Sequence, residues 1–197
     1  QLKYKKFCSH LDYLSQDFAQ YDGKGDGSGL QTGSWDQSKI DIVSDITEIP
    51  EPDGSFDAVM CIEVLEHLPN PLLAVQEFSR LLRPGGQFIV TAPFCSLTHF
   101  APYHFCSGFN RYFYENHLPS FDFTIVDFQE NGNYFEFLAQ EVRRIPTVSK
   151  RYTGSTLRLW EKAAIYLMTA MLERMSGRDS GSEELLNFGC HVRAVKN

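Results

Sequence analysis

The chain has no C-x-x-C pair among its five cysteines (Cys8, Cys61, Cys95, Cys106 and Cys190), and their number is odd. That argues against a disulfide framework and reads as reduced thiols in a cytoplasmic setting. Long hydrophobic runs are also missing. The longest, AAIYLMTAML at residues 163–172, is too short for a membrane span and falls within an amphipathic helix. No secretory signal opens the sequence. Positive charge is scarce: 18 Lys and Arg stand against 25 Asp and Glu, for a net charge of -7. The basic face expected of a nucleic-acid-binding protein is therefore lacking. No G-x-G-x-x-G lies between a strand and a helix, which sets aside a dinucleotide-dependent oxidoreductase. The first residues, QLKYKKFC, lack an initiating Met, so the natural amino terminus is expected to lie further upstream.

What is present suits one globular domain: 197 residues, 43% hydrophobic and 22% charged. LDYLSQDF (residues 11–18) reads as a buried strand ending at Asp17. The glycine-rich run YDGKGDGSGL opens a loop over residues 23–39. IDIVSDI (40–46) reads as a second strand with Asp45 near its end, and FDAVMCI (56–62) as a third, apolar enough to be covered on both faces. Pro71 starts a helix with Leu72, Val75, Phe78 and Leu82 at helical spacing, which RPGG (83–86) stops. GQFIVTAP (86–93) is a fourth strand. Strand, helix and strand in one sheet predict a right-handed parallel crossover. SLTHFAPYHFCSGFNRYFYENHL (96–118) reads as a loop followed by a helix. FDFTIVDF (121–128) is a strand, 134–145 a helix, and 156–175 a longer helix with Leu157, Trp160, Ala164, Leu167, Met171 and Met175 on one stripe. A last strand covers 186–196. The pattern is α/β with an open, mostly parallel sheet.

In such sheets ligands bind beyond the carboxyl ends of the strands. That rule selects Asp17, Asp45, the turn at Cys61, Ile62 and Glu63, and the loop after Pro93. A carboxylate ending one strand can accept from both ribose hydroxyls, and one ending the next from an adenine amine. Each Asp alone reads equally well as a surface residue or a helix cap; the pair favours a nucleotide-like ligand.

DITEIPEPDGSFDAVMCIEVLEHLPNP…EFSRLLRPGGQFIVTAP resembles the central part of a class I S-adenosylmethionine-dependent methyltransferase of the type 11 kind, over residues 11–126. The resemblance implies a Rossmann-like sheet, mostly parallel with an antiparallel C-terminal strand and helices on both faces. It makes residues 1–197 a single, N-terminally incomplete methyltransferase domain, with a helical insertion at 134–183. Asp17 resembles the ribose-binding acid, with Phe18 beside the adenine. Asp45 resembles the adenine-amine acceptor, with Ile46 packing the base, and Cys61, Ile62 and Glu63 line the methionine portion. The family's glycine loop precedes the ribose acid. The sixteen residues before Asp17 contain no glycine, so that loop and the first strand are expected upstream of Gln1. YDGKGDGSGL follows the second strand and is expected to be a flexible loop over the adenosine end.

Glu63, Glu66 and His67 occupy i, i+3 and i+4 and can share one helix face. Two carboxylates and an imidazole can hold a divalent cation. The run resembles the metal site of the ubiquinone-pathway O-methyltransferases. It is also similar to that of enzymes methylating the 2′-hydroxyl at small-RNA ends, where His104 would complete the set. Many type 11 relatives carry E-V-L-E-H without a metal. His99, Tyr103 and His104 lie in the loop after the fourth strand, where substrates enter this fold. A histidine there suits proton removal from a hydroxyl acceptor near neutral pH, although the same rings can simply pack beneath a lid. His104, His99 and His67 are the catalytic candidates. Tyr103 and Asn133 are the acceptor-lining ones, the latter also explicable as a plain turn. The leading expectation is O-methylation of a small-molecule or glycan-like acceptor by in-line transfer, with no membrane span. A metal-dependent RNA 2′-O-methyltransferase and a non-catalytic scaffold of the same fold are the alternatives.

Overall fold

A computed structural model describes residues 4–31 and 33–197. Residues 1–3, and position 32 within the glycine-rich loop, lie outside them. Strand β1 (Gln16–Asp17) pairs in parallel with β2 (Ile42–Val43). The main sheet has the order β3-β4-β6-β5, with β3 at Phe56–Ile62, β4 at Leu82–Pro93, β5 at Phe123–Asn131 and β6 at Gly189–Lys196. β3 and β4 are parallel, and β6 runs against both β4 and β5. Three strands thus point one way and the C-terminal strand opposes them, as the sequence predicts.

Helix α1 (Pro71–Leu81) links β3 to β4 and starts with Pro71 in the first turn, where a missing N–H costs nothing. Its Ala74, Val75, Phe78 and Leu81 are buried. β4 starts as the helix ends. Leu82 pairs with Phe56, and the next pairing is Gln87 with Ala58. Residues 83–86, read from sequence as a helix stop, are therefore accommodated as an irregularity of the strand. Phe78, Phe88 and Phe123 run through the core with ring centroids 5.4 and 5.0 Å apart. Tyr114 of α2 (Arg111–His117) and Leu118 close it.

The amino-terminal strands are shorter than their apolar patterns predict. Leu11 and Leu14 are exposed, and the ladder is interrupted where Asp41 accepts from the backbone N–H and hydroxyl of Ser15 (2.8 and 2.7 Å). Between β5 and β6 stand α3 (Tyr134–Thr153) and α4 (Leu159–Ser176), which pack chiefly on each other. The apolar stripe of α4 is not turned inward: Trp160, Leu167 and Met171 are exposed, and Leu172 is the buried residue of the helix. Among the described residues no helix is long and apolar enough to cross a membrane.

Candidate active site

β3 delivers the site. Its last turn carries buried Cys61, then Ile62, then Glu63 in a left-handed conformation (φ 53°). That turn sends the Glu63 carboxylate to β4, where it accepts from Thr91 Oγ1 at 2.8 Å, while Glu63 N–H donates to Thr91 O at 2.9 Å. Glu63 therefore precedes the one-turn helix at Leu65–His67 and does not share the face of Glu66 that the i, i+3 spacing suggests.

Glu66 is 0% exposed, and neither carboxyl oxygen has a hydrogen-bond partner. His67 Nε2 lies 3.5 Å and His99 Nε2 3.9 Å from its Oε1. Burial, reinforced by the charge of Glu63, pushes its pKa up to about 8. The His67 Nδ1–H donates to the Tyr103 carbonyl. A carbonyl can only accept, so Nδ1 carries the proton and Nε2 presents a lone pair toward Glu66. That nitrogen is also buried without a hydrogen-bond partner. Burial holds the His67 pKa down, at about 4, so the ring is neutral at physiological pH.

The second half of the site comes from the loop between β4 and α2. Phe105 and Cys106 N–H both donate to the Glu66 carbonyl (2.9 and 3.2 Å), fastening the loop over the turn. His99 donates from Nδ1 to Leu97 O (2.9 Å), which frees its Nε2 to face Glu66. The ring centroids of His67 and His99 lie 4.7 Å apart, as do those of His99 and His104. His104 Nε2 contacts Ser96 Oγ at 3.1 Å, and burial lowers its pKa. Phe100, which the sequence pattern does not single out, stacks on His67 at 5.0 Å and 21°.

Among the described residues, Glu66, His67 and His99 can share one cation: one ligand atom from each lies within 4.8 Å of the others. Two members of the set expected from sequence stand outside this group, since Glu63 is turned to Thr91 and His104 to Ser96. Orphaned, buried Glu66 and His67 atoms fit a bound divalent ion, because an unpaired buried polar atom otherwise carries an uncompensated desolvation cost.

The residues expected from sequence to face the cofactor are placed by β1 and β2. Asp17 ends β1 and accepts from Ala19 N–H at 2.8 Å. Asp45 follows β2 and accepts from Thr47 N–H and Oγ1 at 2.9 and 2.8 Å, bonds that hold its carboxyl below the usual range. It is ionised at neutral pH and acts only as an acceptor, which fits an adenine amine. Ile46 packs against the core, and Phe18 meets Tyr103 edge-on at 5.0 Å, joining the segment after β1 to the histidine-bearing loop. Asn133 stands apart from them. Its side chain accepts from Glu136 N–H as the cap of α3 and donates to Ser176 of α4, both at 3.0 Å.

The glycine-rich loop is docked rather than free. Leu30 forms a parallel bridge to His99, its N–H donates to Thr98 O (2.9 Å), and Asp26 N–H donates to Ala101 O (3.2 Å). A Cβ on Gly25 would lie 1.9 Å from Ala101 O, and one on Gly29 2.4 Å from Thr98 O. Arg151 of α3 donates to the carbonyls of Gly29 (2.6 Å) and Gly27 (3.2 Å). The run packs backbone on backbone against the histidine loop, an interaction with no local sequence signature beyond the glycines themselves.

Residues 17–90 match the methyltransferase-domain family model. A ubiquinone biosynthesis O-methyltransferase of Dechloromonas aromatica (strain RCB) is 41% identical over 63 residues, which is 32% of this chain and 26% of that protein. One of Xanthomonas oryzae pv. oryzae (strain PXO99A) is 38% identical over the same length and coverage. The chain thus spans about a quarter of the length of these curated relatives. The solved structure of the [4+2]-cyclase SpnF superposes with a TM-score of 0.45 at 18% identity, covering 81% of this chain and 57% of that one. Over residues 17–90 the chain is thus similar to methyltransferase domains, and the likeness to the named relatives is confined to 63 residues.

Proposed function

We propose that the protein transfers a methyl group from S-adenosylmethionine to an oxygen of a small-molecule acceptor bound beside the loop that carries His99 and His104. The bound cofactor supplies an electrophilic sulfonium methyl. Asp17 and Asp45 hold its adenosine end, and the strand-end turn at Cys61, Ile62 and Glu63 lines the other. The acceptor hydroxyl must lose its proton as it attacks, and a neutral imidazole is the suitable base. His99 is the candidate base: its Nδ1 donates to Leu97 O, so its Nε2 carries the lone pair. His104, whose pKa burial lowers, has its ring centroid 4.7 Å from that of His99. Fixing the acceptor in line with the methyl supplies much of the remaining rate. The observation carrying this reading is the histidine pair brought over the carboxyl end of β3 by the Phe105 and Cys106 bonds to Glu66. The relatives named for O-methylation support transfer to oxygen.

A metal-assisted version has its own support in the orphaned Glu66 and His67 atoms. Glu66, His67 and His99 would hold the cation, and it would lower the pKa of a bound acceptor hydroxyl. Glu63 and His104 are occupied elsewhere, which favours a small acceptor over the RNA-end alternative.

Calorimetric titration with S-adenosylmethionine tests the cofactor assignment. Saturable binding is expected, weakened about tenfold or more by Asp45→Ala, since one charge-assisted bond is worth about 1.5–3 kcal/mol. No binding by folded protein would remove the enzymatic reading. Turnover unchanged after exhaustive chelation would remove the metal.

A further inference from the structure

The hairpin of α3 and α4 exposes far more apolar surface than its packing uses. On α4, Leu159 is 84% exposed, Trp160 65%, Tyr166 73% and Leu167 67%. Met168 and Met171 extend the same surface, and Ile145, Val148 and Tyr152 of α3 are exposed as well. Leu159, Ala163, Tyr166 and Ala170 follow one helical stripe, with Trp160, Leu167 and Met171 beside it, so the face is continuous for about 20 Å along the axis. Scattered exposed apolar residues are ordinary, but a contiguous face of this kind marks an interaction surface.

Charge decides what covers it. Between residues 145 and 168 the chain has four cations (Lys150, Arg151, Arg158, Lys162) and one acid (Glu161), against 14 cations and 24 acids elsewhere. Arg151 is held by the glycine loop. Lys150, Arg158 and Lys162 form no side-chain ion pair among the described residues. A second copy meeting this face symmetrically would set these cations against their own counterparts. An anionic lipid surface offers what the face lacks: negative charge for the lysines and arginine, and an interfacial layer for Trp160, Tyr152, Tyr166 and the leucines.

We propose that the α3–α4 hairpin is a monotopic membrane-binding element that lies on an anionic bilayer surface, with Trp160, Leu159 and Leu167 inserted at the level of the headgroups. This assignment rests on the hairpin alone and stands whether or not the methyl-transfer reading holds.

The chain has two tryptophans, Trp35 and Trp160, so Trp35→Phe leaves a single reporter on the proposed face. Mixed phosphatidylcholine and phosphatidylglycerol vesicles should blue-shift its emission and pellet the protein, whereas phosphatidylcholine alone should bind it much more weakly. Each neutralised cation should weaken partitioning about fivefold, so Lys150→Gln, Arg158→Gln and Lys162→Gln together should cost roughly 100-fold. Leu167→Glu should lower partitioning at least about tenfold. Lys150, Arg158, Lys162 and Leu167 are exposed, Trp35 is half-buried against Tyr21 and Phe100, and unchanged circular dichroism and melting would show that the fold is intact. The proposal is overturned if the protein fails to pellet with anionic vesicles at low salt. It is equally overturned if binding ignores these substitutions, or if pure phosphatidylcholine binds as well. A concentration-dependent dimer that Leu167→Glu dissolves, without vesicle binding, would assign the face to a second copy instead.

Discussion

Replacing Glu66 by Gln should stabilise the metal-free protein near neutral pH and leave it unchanged in acid. The Glu66 carboxyl is fully enclosed and neither oxygen is hydrogen-bonded. Its pKa rises from the ordinary 4.5 to about 8, first through burial and then through Glu63. Between those values the folded state holds a proton that the unfolded chain has released. The native state therefore loses stability as pH climbs through this window. At pH 7 the loss is about 3 kcal/mol, from 1.36 kcal/mol per pH unit over roughly 2.5 units. Below the unfolded pKa both states are protonated and the penalty vanishes. Gln has the shape of the neutral acid and cannot ionise, so the substitution removes the penalty and keeps the contacts. For a chain of this size the gain corresponds to about 6–12 °C in Tm. Calorimetric melting of both proteins after chelation, at a series of pH values from 4.5 to 8, measures it. The two curves should coincide at the acid end and separate steadily toward pH 8. Equal Tm throughout, or a less stable Gln variant at neutral pH, would mean that the carboxylate is ionised and paired, and the reasoning fails. Adding a divalent cation that binds Glu66, His67 and His99 should invert the order, raising the Tm of the native protein alone.

Three further outcomes follow from named contacts. Arg80 joins Glu77 (2.7 and 2.8 Å), Asp53 (2.6 Å) and the carbonyls of Ile49 and Glu51, clipping the segment after β2 to α1. Arg80→Ala leaves the buried Glu77 carboxylate with only the Ile49 N–H, and should cost about 3 kcal/mol in denaturant unfolding. Because Arg80 holds the Glu77 pKa below 4.5, the stability from this pair is present above that pH and lost as pH falls through the depressed value. Gly25→Ala should undock the glycine loop, since its Cβ would meet Ala101 O at 1.9 Å; faster amide exchange at Asp26 and Leu30 with little change in global Tm would register it. Phe88→Ala should cost about 3–5 kcal/mol by urea unfolding, because Phe88 is wholly enclosed between Phe78 and Phe123.

The parts of the molecule legible in the sequence are those whose cause is local. β3, α1 and β4 are specified by an apolar run, a proline at the first helical turn and a hydrophobic period; β3 and α1 form where that signal places them, and β4 takes in the RPGG turn ahead of its predicted start. The apolar runs at 11–18 and on α4 carry equally strong local signals. Yet Leu11, Leu14, Trp160 and Leu167 remain exposed, because burial depends on whether another layer covers the element. The site divides in the same way. Glu66 and His67 follow from their spacing, but the third member of the cluster is His99, since the Leu97 carbonyl and the bridge to Leu30 aim that ring at Glu66. Glu63 leaves the group because one left-handed residue redirects it to Thr91. The alternating glycines of YDGKGDGSGL invite a phosphate-loop reading, and Gly25 and Gly29 instead admit the carbonyls of Ala101 and Thr98. Both readings demand close approach to the backbone, so glycine spacing alone cannot distinguish them. What distinguishes them is the partner: here it is the loop holding His99, which makes the glycine run part of the wall around the candidate active site.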